Sequence, residues 1–177
     1  MQRLHRFFWP LVVVTVAVYG AMALWAGPNI STTNGRGLPF DMQMLGYSYD
    51  EARAYLGSLT PEGLAFYAGP AQWLDTFFPA LFAMVLGIGC WILLAERPLI
   101  LRLAALFVAG LYALFDYLEN AAVARMLAST PDSLSEPLVE TASRWTVLKF
   151  FFVDAAITIL IVLMIARFVS RLRQQAE

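Results

Sequence analysis

Asp116, Glu119 and Asn120 stand at i, i+3 and i+4, so on a helix two carboxylates and an amide share one face. Paired carboxyls can serve as general acid and base, while an amide beside them orients a polar substrate. The set lies near the end of an otherwise apolar run, Leu99 to Ala124. A charged side chain at mid-bilayer costs roughly 2.5–3.5 kcal/mol on insertion scales, so an unanswered Asp-x-x-Glu-Asn would work against insertion. The residues that can answer it are Lys149 and Asp154 in the last apolar segment.

Depth supports that pairing. At a rise of about 1.5 Å per residue, Asp116 lies about 21 Å above Arg102, and Asp154 about 20 Å above Arg167. Glu119, Asn120 and Lys149 come out at about 26, 27 and 27 Å on the same rulers. Lys149 is then the expected counter-ion of Glu119, with Asp116 and Asp154 in a deeper layer where two close carboxyls share a proton. Tyr112 is on the face of Asp116, Thr146 is near Lys149, Thr158 is one turn below Asp154, and Arg144 is at the outer mouth. Asp75 sits level with them, and Pro79 leaves the carbonyl of residue 75 without its helical donor, which suits a hydrated mouth. The candidate catalytic residues are therefore Asp116, Glu119 and Asp154, and the candidate binding residues Asn120, Lys149, Tyr112, Asp75 and Arg144.

Composition defines the elements that must position these groups. The chain of 177 residues is 60% hydrophobic and 14% charged, with the apolar residues gathered in blocks. Soluble chains average about 45–50% apolar and about 25% charged. A net charge of −1, with no basic run, excludes a nucleic-acid partner. One cysteine, Cys90, and one histidine, His5, exclude an intrachain disulfide, a bis-histidine haem and a zinc held by several imidazoles. No cofactor and no metal is expected.

The blocks predict an all-α integral membrane four-helix bundle with spans at 7–26, 71–95, 99–125 and 144–168. A cleaved signal peptide with Ala21 and Ala23 before the cut is the rival reading of the first block. The long first external loop, 27–70, should hold one or two short helices. Ser48 and Glu51 form a capping box, with a stop expected at Gly57. Thr60-Pro61 opens a second helix, with a stop expected at Gly69-Pro70. The second external loop, 126–143, is acidic and has room for one surface helix.

Arg3, Arg6, Arg97, Arg102, Arg167, Arg171 and Arg173 place both termini and the 2–3 turn in the cytoplasm, with the two loops outside an inner membrane. Trp25, Trp73 and Trp145 mark the outer boundary and Trp9 the inner one. Eleven arginines against one lysine fit a GC-rich bacterial source.

These residues describe an outward-facing intramembrane polar pocket that binds or processes a lipid or amphipathic small molecule by carboxylate acid/base chemistry. Membrane lipids are the expected surroundings, and the loop 27–70 is the lid. Two other classes fit the same residues. A Glu119–Lys149 lock that only fixes helix register would make the chain a small accessory or assembly subunit of a larger membrane complex. Titrating acids would allow proton-coupled transport, for which four helices require a homo-oligomer. No nucleophile or metal signature selects a reaction.

Overall fold

The computed structural model describes residues 2–33, 35 and 37–176. Among them every named element is helical, and the extended backbone is limited to one bridge between Thr32 and Leu59. Four helical stretches are long and apolar enough to cross a membrane: Arg6–Asn29, Pro61–Leu93, Leu99–Leu127 and Glu136–Gln175.

The first begins as α1, Gln2–Ala21, and continues through a wide turn at Met22–Ala26 into the short helical turn Gly27–Asn29. It packs on one side of the next long helix and is otherwise peripheral, as expected for a helix whose far face meets lipid.

The first loop folds where its local chemistry dictates. Helix α2, Tyr49–Ser58, is opened by the expected capping box. The Ser48 amide donates to Glu51 Oε2 at 2.8 Å, and the Glu51 amide donates to Ser48 Oγ at 3.3 Å. It ends at Ser58, one residue beyond Gly57. Helix α3, Pro61–Phe66, has Thr60 as its N-cap, with Thr60 Oγ1 accepting from the Gly63 amide at 3.0 Å. A Cβ on residue 63 would collide with the Ser31 carbonyl oxygen, so only glycine lets the start of the loop lie across this helix.

The expected stop at Gly69-Pro70 does not occur. The backbone widens into a π-turn over Tyr67–Ala71 and runs straight into α4, Gln72–Leu93, giving one rod over 61–93. Proline removes only its own N–H, and a widened turn absorbs its ring without ending the helix.

Helices α5, Leu99–Leu127, and α6, Glu136–Ala176, form the principal packed pair, with α4 against α5. Helix α5 runs to Leu127 and α6 begins at Glu136, so ten of the eighteen residues expected to be loop over 126–143 are helical. At 41 residues it extends about 62 Å, twice a hydrocarbon core of about 30 Å. The connection it leaves is short and pinned: the Arg53 guanidinium of α2 pairs with Asp132 at 2.7 Å and donates to the Pro131 carbonyl at 3.0 Å.

Two cores result. In the middle of the bundle Leu86, Ala109, Tyr112, Val153 and Ala156 pack together. At the end of the bundle that carries the first loop, that loop supplies its own core onto α5 and α6. Phe40, fully buried in the 3-10 turn Phe40–Met42, lies against Tyr47, Tyr55 and Tyr67 at ring separations of 5.1, 4.9 and 6.4 Å. Gly46, at φ +81°, brings the loop onto α6, where the Tyr47 amide donates to Ser143 Oγ at 2.8 Å. Burial pushes the phenols of Tyr47 and Tyr55 up from their ordinary value.

Candidate functional site

The inward stripe of α5 carries Tyr112, Asp116, Glu119, Asn120 and Val123, all buried. The inward stripe of α6 carries Ala142, Thr146, Lys149 and Val153. Both follow helical periodicity, so polar groups on one are held at the level of polar groups on the other.

Where the stripes meet, Lys149 Nζ forms an ion pair with Glu119 Oε2. Glu119 is wholly buried, and its other oxygen, Oε1, lies 2.5 Å from Thr146 Oγ1. The lysine also donates to the backbone carbonyl of Asp41 at 3.0 Å, and its ammonium stands 5.1 Å from the Phe150 ring centre. Buried charges persist only where partners satisfy them, and these do so from three elements. The 3-10 turn is thereby fastened over the pair, and Asp41 is fastened in turn by a hydrogen bond from the Tyr67 hydroxyl.

The second part of the site joins α5 to α4. Pro79 has no N–H to give the carbonyl of Asp75, and Asn120 Nδ2 donates to that carbonyl instead, at 3.2 Å. Gln72 Nε2 donates to the Asn120 carbonyl at 3.2 Å, and the Tyr117 hydroxyl to the Thr76 carbonyl at 2.9 Å. The amide at residue 120 thus repairs a helix defect on its neighbour.

Asp116 lies between the two parts, 3% exposed, with the Tyr112 phenol and the Asn120 amide adjoining its carboxyl. Its Oδ1 is buried without a hydrogen-bond partner among the described residues, and so is Oε1 of Gln72. Asp75, half-buried, is near enough to interact electrostatically with Asp116. Four acids, Asp41, Asp75, Asp116 and Glu119, therefore converge on one lysine. One lysine can neutralise only one of them, and Asp41 has in addition the Tyr67 hydroxyl as a donor.

Of the residues read from the sequence, Tyr112, Asp116, Glu119, Asn120, Lys149 and Asp75 come together. Asp154 and Arg144 do not. Asp154 is exposed on the outer side of α6, because five residues beyond Lys149 it lies about 140° round the helix. The acid near Asp116 is Asp75 instead. The Arg144 side chain is 77% exposed and pairs with Glu140 at 3.4 Å, one turn back along α6. Lys149, expected to hold an anionic head group, already has its charge met by Glu119 and the Asp41 carbonyl.

The sequence reading missed Asp41, Tyr67 and Gln72. Gln72 had a signal, being i−3 to Asp75 on the same face. Asp41 had none, since it lies in a stretch without periodicity.

No group of three or more His, Cys, Asp or Glu side chains among the described residues has the arrangement of a metal site. At the same level of α4 and α5, but on the side of α1, an apolar groove of about 600 Å³ is lined by Val14, Val18, Leu74, Phe77, Leu81 and Tyr117, among others. No protein-family model, no characterised protein and no solved structure matches the chain.

Proposed function

We propose that the chain is a multi-pass protein of a bacterial inner membrane, with both termini in the cytoplasm, and that its buried cluster binds or processes a lipid or amphipathic small molecule. The observation that carries this reading is Asp116 Oδ1, an acceptor withdrawn from solvent for which the described residues supply no well-formed hydrogen bond, although the Tyr112 phenol and the Asn120 amide adjoin the carboxyl, with Gln72 Oε1 also unpaired among them. Buried polar atoms are nearly always paired, so these call for a donor supplied from outside the chain. The head group that suits them is one rich in hydroxyl or amine donors, and the groove flanked by Val14 and Phe77 suits an aliphatic tail. Asp116 and Asp75 are the acid/base candidates, with Tyr112 and Asn120 orienting the head group. Glu119 and Lys149 hold the helices that carry them.

Native mass spectrometry on protein extracted into polymer-bounded lipid discs tests this. The wild type is expected to retain one hydroxyl- or amine-bearing amphiphile at unit stoichiometry, and Asp116→Leu to lose it with the helix content unchanged. A wild type that carries only the bulk lipid composition, indistinguishable from the variant, would remove the proposal.

A second reading is favoured by a different observation. The Glu119–Lys149 pair, closed by Thr146 and the Asp41 carbonyl, is complete without any ligand. That completeness suits a register lock in an accessory or assembly subunit.

A further inference from the structure

Between Trp145 and Ile161 the exposed positions of α6 are Val147, Phe151, Asp154, Thr158 and Ile161. Their spacing of 4, 3, 4 and 3 draws a straight seam along the helix, the pattern by which one helix offers itself to another. On a helix that faces only lipid, such a stripe would be apolar throughout. Here its centre is a carboxylate and a hydroxyl one turn apart.

Depth makes this costly. Asp154 lies about 14 Å below Trp145 and about 20 Å above Arg167, well inside a hydrocarbon layer of about 30 Å. Among the described residues nothing pairs with Asp154 or hydrogen-bonds to Thr158. Other helix threonines return their hydroxyls to the carbonyl four residues back: Thr15 at 2.8 Å, Thr76 at 2.8 Å, Thr141 at 2.7 Å and Thr146 at 3.1 Å. Thr158 keeps its hydroxyl free for something else.

Among the described residues a second copy of this chain has no cation to bring at that depth, since Arg125 and Arg102 of α5 lie about 14 Å above and about 21 Å below Asp116, the residue level with Asp154. Its lysine at that depth is buried against Glu119, and the neighbouring basic residues of α6, Arg144 and Arg167, lie about 15 and 20 Å away along the axis. A parallel second copy would set carboxylate against carboxylate.

We propose that this seam of α6, centred on Asp154 and Thr158, is the docking face for a transmembrane helix of another protein that carries a lysine or arginine at the same depth. The docking face depends on the four-span part of the reading above and is independent of whether the interior cluster takes a ligand.

A synthetic leucine-rich transmembrane peptide with one central lysine, and its all-leucine counterpart, provide the probe. Energy transfer between each labelled peptide and the labelled full chain is measured in phosphatidylcholine vesicles. The lysine peptide is expected to associate about tenfold more tightly than the all-leucine peptide. Asp154→Leu, a change that favours insertion, should abolish that preference, and Asp154→Glu should keep it. Equal association of the two peptides, a preference that survives Asp154→Leu, or pairing between two copies of the chain that shuts out the lysine peptide would each overturn the docking face. Resistance to alkaline extraction separates the failures. A chain that is stripped from the vesicles overturns the four-span reading and the docking face together, whereas an inserted chain that ignores the lysine overturns the docking face alone.

Discussion

Lys149 of α6 and Glu119 of α5 pair with only 8% and 0% of their side chains exposed, and Thr146 and the Asp41 carbonyl take up the polar capacity left over. Removing one member strands the other. Lys149→Leu is therefore expected to lower stability by roughly 3–5 kcal/mol, while Glu119→Leu combined with Lys149→Leu recovers most of the loss. Reversible unfolding of the wild type, the two single variants and the double variant in mixed micelles gives the cycle, and simple additivity of the two single losses would contradict the pairing.

Thr146 contributes through the same carboxylate. Thr146→Val keeps the shape and deletes the hydroxyl, with an expected loss of roughly 1–3 kcal/mol, while Thr146→Ser should stay near the wild type. In a background that already lacks Glu119 and Lys149 the valine change should cost much less. The same unfolding assay decides it.

Helix α2 should respond to acid. Two hydrogen bonds from Ser48, through its backbone amide and its hydroxyl, hold the Glu51 carboxyl below its ordinary value. A group whose folded value is depressed lends stability above its unfolded value, near 4.5, and that stability is lost as pH falls through this value toward the lower folded one. Amide exchange over 49–58 should therefore quicken, relative to the intrinsic rate, as pH drops below that point. Glu51→Gln should flatten the dependence, and an unchanged profile would dismiss the capping box as its source.

Gly46 fastens the loop to α6. Its φ of +81°, and the 2.6 Å that would separate a Cβ at this position from Ser143 Oγ, leave no room for a side chain. Gly46→Ala should cost roughly 1–3 kcal/mol, felt first in the loop. Limited proteolysis over 30–48 should speed up while the helix content from α4 to α6 holds. Equal cleavage rates would show that the loop is anchored elsewhere.

The four apolar blocks, the Ser48 and Thr60 caps and the matching heights of Glu119 and Lys149 were legible in the residues alone, because each depends on chain-local periodicity, hydrogen-bond geometry or rise per residue. Height without angle misled at Asp154, which matches Asp116 in level but lies on the far side of α6 once Lys149 faces inward. Which stripe of a helix turns inward is set by packing against α4 and α5, a relation between segments remote in sequence. The same holds for Asp41, brought onto Lys149 by the aromatic packing of Phe40, and for Asn120, whose amide serves the carbonyl that Pro79 leaves open on another helix. Sequence determined which groups had to be answered, since burial of a charge is costly wherever it occurs. Beyond the Glu119–Lys149 pairing, only the tertiary structure decided what answers them, because the further partners are 27 to 108 residues apart in the chain.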